Sequence, residues 1–208
     1  MNNLNGFMKL FYDIGNWMFK LMHLQLLWAV FSILGLIVFG IFPATAGVFA
    51  VTRKWVENDV DIPIFKTFIT SYKDSFAKVN GVGFIMLLIG LFLGYDYIIS
   101  KNMLNLFFLH MVLITIIFVY ALTLCYLFPT FVHYELKSLQ YIKQSFLIMV
   151  ASPLENIGII LCLVILYYLY ALLPVSFVLL GITIAAYPLM RIAYSAFNKV
   201  QQKKSVEN

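Results

Sequence analysis

Leu4, Phe7, Met8, Phe11, Gly15, Met18 and Phe19 fall near one face of a helix, with Lys9, Asp13 and Asn16 elsewhere around it. That alternation predicts an interfacial amphipathic helix over Leu4–Lys20, leading into a first apolar run over Leu21–Phe42. The run is too long for the apolar core of a signal peptide, about 7–15 residues, so it reads as a retained span. Trp17 and Trp28 are placed to anchor it at the headgroups.

Pro43 interrupts the pattern and suits the first turn of a new helix. The small residues Ala44, Ala46, Gly47 and Ala50 follow, then Arg53, Lys54 and Trp55. This predicts either a break with a half-penetrating segment or the start of an interfacial helix. From Ile62 to Val79 the apolar positions Phe65, Phe68, Ile69, Tyr72, Phe76 and Val79 recur at helical spacing, with Lys66, Lys73, Asp74 and Lys78 on other faces. A basic amphipathic helix lying on the membrane fits, as does a docking helix for a partner.

Four further spans follow: Val82–Ile99, Leu104–Val132, Ile157–Leu173 and Val175–Ala193. The last two divide an uncharged stretch, Asn156–Met190, that contains Pro174. At 1.5 Å per residue such a stretch far exceeds a hydrocarbon core of about 30 Å, so a tight hairpin fits better than one helix. Residues 198–208 read as a polar tail. The predicted fold class is all-α: a polytopic membrane domain over 1–197 with five transmembrane helices, interfacial amphipathic helices and a cytosolic loop over 43–81.

Composition agrees. Hydrophobic residues make up 63% of the chain and charged residues 11%. A soluble domain carries about a quarter charged residues, so lipid must solvate this surface. The net charge of +5 sits in short blocks between apolar runs, which orient spans and touch anionic headgroups rather than nucleic acid. With five spans, eleven lysines and arginines fall on one side and Lys9, Lys20 and Lys101 on the other. The rule that positive charge stays inside then puts the C-terminus in the cytoplasm and the N-terminus outside.

Candidate chemistry is sparse. Cys125 and Cys162 lie in apolar runs and read as structural, and no Cys/His spacing for a metal occurs. There is no HExxH, GxSxG, P-loop or GxGxxG, so no catalytic residue, cofactor or metal site is predicted. Asp96, between Tyr95 and Tyr97, and His110, inside the third span, are the candidate intramembrane polar groups. The alternative for each is structural: a belt position for Asp96 and a hydrogen bond to a neighbouring helix for His110. His133, Glu135 and Lys137 mark the return to water, and Glu155 suits a helix first turn after Pro153. Gly90 and Gly94 form a GxxxG pattern that permits close helix approach. Pro129 and Pro188 fall late in their spans, where kinks can line a cavity.

The run Gly40-Ile-Phe-Pro-Ala-Thr-Ala, followed by Ala50-Val-Thr-Arg-Lys-Trp55, resembles the YesL-like family of bacterial integral membrane proteins of unknown function. The likeness continues through Pro63–Phe68 and Ser71–Phe76. Membership implies a bacterial plasma-membrane location. Because members are often encoded beside sugar-uptake transporters, it also implies an accessory role whose partner is a carbohydrate ABC transporter permease. The other partners expected are the bilayer and a second copy of the chain, with no nucleic acid. Residues Pro43, Ala44, Thr45, Arg53, Lys54, Trp55, Phe65, Phe68 and Phe76 become the candidate motif and partner contacts. The rival reading is an independent transporter or channel for sugars or ions, using Asp96 and His110.

Overall fold

A computed structural model describes residues 6–100 and 107–206, and among these every regular element is helical. The helices are α1 (Gly6–Leu34), α2 (Ile41–Val56), α3 (Ile64–Ile99), α4 (Phe107–His133), α5 (Ser138–Ala151), α6 (Pro153–Leu172) and α7 (Pro174–Val206). Five of them, α1, α3, α4, α6 and α7, are long and apolar enough to cross a membrane.

The first helix does not divide at Lys20, as the amphipathic pattern suggested, and it stops well short of Phe42. Gly35 and Gly40 close a turn between α1 and α2. A Cβ on Gly35 would lie 2.4 Å from the Gly40 Cα, and one on Gly40 would lie 2.3 Å from the Ser32 carbonyl oxygen. Leu36 and Ile37 take left-handed backbone angles, φ 58° and 63°, a costly conformation for side chains of this kind. The chain then returns. Trp17 meets Trp55 with ring centroids 5.4 Å apart, and Trp28 Nε1 donates to Thr45 Oγ1 at 3.1 Å, so α1 and α2 are antiparallel.

Ten of the sixteen residues of α2 are buried. Both expected roles for this segment, half-penetrating or interfacial, understate that burial: α2 is the inner element around which α1, α3, α4 and α7 pack. Its small residues explain why. Gly47 lets the Phe68 ring settle against the α2 backbone, where a Cβ would stand 2.8 Å from the ring. Pro43 sits in the first turn, where its missing N–H costs nothing.

The expected surface helix over 62–79 and the span over 82–99 are one continuous helix, α3. No proline divides them, and Gly83 within the junction accepts the Phe42 ring. Helices α3 and α4 form a hairpin: Tyr120 Oη donates to the Met86 carbonyl at 2.6 Å, and Tyr97 meets His110 at the far end. Of the GxxxG pair only Gly90 is used, lying under the Tyr120 hydroxyl, while Gly94 has open space beside it.

Helix α5 has no counterpart in the sequence reading, which left 133–152 as a return to water. Tyr141 fixes its entry, accepting from the Leu136 N–H at 3.0 Å and donating to the Tyr134 carbonyl at 3.1 Å. Helices α6 and α7 form the hairpin expected around Pro174, with Tyr170 Oη donating to the Gly181 carbonyl at 2.6 Å. The tail expected from 198 is instead helical through Val206. Lys101, Leu104 and the last two residues lie outside the described positions.

These pairings place one set of ends together. Trp17 also packs on Tyr187, and Gln25 lies beside Val178, so α1 runs antiparallel to α7. Lys20 Nζ donates to the Val60 carbonyl at 2.9 Å and pairs with Asp61 at 3.2 Å. The charge count had put Lys20 on the opposite side from 43–81. The difference arises because α2 turns back along α1 and brings the chain to Lys20 again.

Candidate functional site

The stretch that carried the family likeness forms α2 and the first third of α3, and α2 closes a hairpin with α1. Its non-helical turn is lined outwardly by Leu36, Ile37, Val38 and Phe39, all exposed. Backbone inside a bilayer must find protein partners. Helix α3 reaches both this turn and the end of α1: Asn80 Nδ2 donates to the Phe39 carbonyl at 3.0 Å, and Tyr72 Oη donates to the Phe31 carbonyl at 3.2 Å. Neither residue had been singled out from sequence for this task. Asn80 falls between the two predicted segments, 62–79 and 82–99, and it caps a turn some forty residues earlier.

The motif residues divide by position. Pro43, Ala44 and Thr45 are buried against α1, with Thr45 Oγ1 donating in turn to the Ile41 carbonyl at 2.7 Å. Trp28 and Trp17 therefore pack within the hairpin. Arg53 Nε pairs with Glu57 at 2.9 Å, and its guanidinium also donates to the Val132 carbonyl, tying the end of α2 to the end of α4. Lys54 is half-exposed and lies 3.7 Å from the other Glu57 oxygen. Trp55 is buried between Trp17 and the rest of the core. Phe68 is fully buried, and Phe65 and Phe76 are exposed beside Phe31 and Tyr72 respectively. Of the three motif phenylalanines on α3, Phe65 and Phe76 offer ring surface outward.

A polar layer surrounds this end of α2. His133 packs on Phe197 with ring centroids 4.6 Å apart and edge-on to Tyr194. Burial pushes the Tyr134 phenol up, with a hydrogen bond from Gln201 acting the other way. Glu155, 7% exposed, pairs with Lys199 and so ties the start of α6 to the end of α7. Tyr126 Oη donates to Asn156 Oδ1 at 2.9 Å, and Asn156 Nδ2 donates to the Met149 carbonyl at 2.8 Å. Trp55 Nε1, Thr130 Oγ1 and His133 Nδ1 are buried without a hydrogen-bond partner among the described residues. Such groups suit ordered water. The layer joins helix ends.

The other candidates lie at the far end of the α3–α4 hairpin. His110 Nδ1 is 3.4 Å from Ser100 Oγ, and its ring is 5.1 Å from that of Tyr97. Asp96 is half-buried, with no hydrogen bond or ion pair to a described residue. Among the described residues no three or more His, Cys, Asp or Glu side chains are arranged to hold a metal ion. Cys125 and Cys162 are free thiols.

Residues 21–97 match the family described as "Protein of unknown function, DUF624". Three proteins of Bacillus subtilis (strain 168) extend the likeness along nearly all of the chain. The uncharacterized protein YteU is 35% identical over 189 residues, covering 89% of this chain and 84% of that protein. The uncharacterized protein YesL is 31% identical, covering 92% and 91%. The chain belongs to this YesL-like family. The uncharacterized protein YesV is 36% identical over 186 residues, covering 88% of each. No solved structure matches. The matched region runs from the middle of α1 almost to the end of α3, so it contains the turn together with Asn80 and Tyr72 of α3.

Proposed function

We propose that this YesL-like protein is a non-enzymatic accessory or assembly subunit of a carbohydrate ABC transporter permease in the bacterial plasma membrane. The observation that carries the reading is the packing of α2. The middle of the bundle, where a solute path would run, is filled by α2 and the side chains seated on it, with Val48, Val51, Thr52 and Phe68 fully buried. The residues of the family motif thus support a scaffold. The exposed side chains Phe65, Phe76, Lys66, Lys73 and Lys78 along the first half of α3 supply a surface for a partner. The carbohydrate element rests on the gene neighbourhoods of the family.

The same packing supports an arrangement with both chain ends in the cytoplasm. Trp17 of α1 packs on Tyr187 of α7, and Lys20 reaches the 57–63 loop. Thirteen of the fourteen lysines and arginines then share one side, and Lys101 alone lies in the α3–α4 connection. This replaces the outside N-terminus expected from five one-way crossings.

Purification of the tagged protein from its native membrane in mild detergent, followed by mass spectrometry, tests the role. A transporter permease recovered in fixed stoichiometry is expected, and Phe65→Glu with Phe76→Glu should reduce that recovery while the protein still inserts. A homomer that moves sugar or ions in liposomes, with Asp96→Asn altering the flux, would instead establish the transporter reading. The grouping of Tyr97, Ser100 and His110 near Asp96 is the feature that favours that second reading.

A further inference from the structure

Between α3, α4 and α5 runs an open groove of about 600 Å³, walled by Ile85, Ile89 and Leu93 of α3, Ile116 of α4 and Phe146 of α5. Its polar side chains, one excepted, are already engaged: Tyr120 Oη donates to the Met86 carbonyl and Thr123 Oγ1 to the Val119 carbonyl. The exception is Lys143, which has no carboxylate partner among the described residues. Helix α5 buries Tyr141, Ser145, Ile148 and Met149 and turns the opposite stripe outward. That stripe is Leu139, Lys143, Phe146, Leu147 and Val150, an apolar face with a single cation in it. A helix so built lies in the membrane interface with its lysine reaching for the headgroups.

We propose that this groove binds one anionic phospholipid, its phosphate on Lys143 and an acyl chain along α3 and α4. Charge decides the headgroup. The groove's single ionic group is an unneutralised cation, and Lys78 adds a second on the same α3 stripe as Val82, Ile85 and Ile89, two turns away. Asp74 lies one turn further along that stripe and is exposed without an ion pair to Lys78. A basic pocket between membrane helices, at the end where positive charge gathers, suits an anionic headgroup. Saturation decides the tail. With the tyrosine and threonine hydroxyls turned into their own helices or the neighbouring one, the walls present hydrocarbon, and Ile85 to Leu93 alone extends about 12 Å. A sugar would find no donor there besides Lys143.

The test measures thermal unfolding of the full chain in mild detergent while dioleoyl phosphatidylglycerol is added, with dioleoyl phosphatidylcholine and glycerol 3-phosphate as comparisons. A saturable rise in Tm is expected with phosphatidylglycerol, a smaller one with phosphatidylcholine and none with glycerol 3-phosphate. Lys143→Gln, a change at an exposed position, should weaken the apparent phosphatidylglycerol affinity about fivefold. Ile89→Trp, which fills the groove and keeps the charge, should remove the preference, and Lys9→Gln should leave it intact. Equal shifts from the two lipids, or Lys143→Gln behaving as wild type, would overturn the proposal. A full shift from glycerol 3-phosphate would exclude the acyl-chain site. If Ile89→Trp keeps the lipid response and loses a co-purifying protein, the groove holds a partner helix and the proposal fails.

Discussion

Trp28 and Asn80 show how single side chains in this protein serve backbone and neighbouring helices rather than the bilayer surface. Trp28 looked like a headgroup anchor because tryptophan favours that belt, and nothing local to it reveals Thr45 seventeen residues on. Trp28→Phe removes the pyrrole ring together with its hydrogen bond, so it should lower stability by about 1–2 kcal/mol in thermal unfolding. Asn80→Leu is the harsher change. It leaves the Phe39 carbonyl unpaired in a lipid-facing turn, at a cost of about 1–3 kcal/mol. If Asn80→Leu proves milder than Trp28→Phe, the turn is reached by water and is not a membrane turn. Gly47→Ala probes the notch under Phe68, and a loss of about 1–3 kcal/mol is expected from overpacking. Sequence did expose Gly47 and its small neighbours as a close-packing face; what it could not expose was that the visitor is Phe68.

At the scale of elements, the apolar spans were legible because lipid leaves a compositional mark over about twenty residues. Two shorter helices left weaker marks. The sixteen residues of α2 carry Arg53 and Lys54 in the last turn, so the segment read as half-penetrating or interfacial, yet the guanidinium is consumed by Glu57 and Val132 and ten of the sixteen residues are buried. The fourteen residues of α5 carry a helical stripe, but Lys137 and Lys143 made them look like a loop. The turn joining α1 and α2 was hidden entirely, since Leu36-Ile-Val-Phe39 continues the hydrophobicity of the helix before it. Only the paired glycines hint at it, and their five-residue separation matters because the two backbones touch. Gly40→Ala should therefore be among the most damaging small substitutions. The new Cβ would meet the Ser32 carbonyl, and a loss above about 3 kcal/mol, or failure to accumulate in the membrane, is expected. Wild-type stability for Gly40→Ala would mean that the two glycines do not close this turn.

For the whole molecule, the polar layer at the joined ends ties together helices that sequence treats separately. Glu155 was legible as a helix-start acid, but its partner Lys199 lay in a segment read as a frayed tail. Lys199→Met strands a buried carboxylate, whereas Glu155→Gln strands only a half-exposed ammonium. Lys199→Met should therefore cost more, by about 1–2 kcal/mol in detergent thermal unfolding. The reverse order would show that water reaches Glu155. Helices α1 and α2 fold back on each other, so the start of α1 and the 57–63 loop are expected on one side of the membrane. Labelling with a membrane-impermeant maleimide tests it most directly, with Cys125 and Cys162 replaced by alanine and single cysteines placed at Lys9 or Asp59. Neither cysteine should react in intact cells, and both should react once the membrane is opened. Labelling of Lys9→Cys from outside while Asp59→Cys stays protected would contradict the hairpin and restore a one-way first crossing.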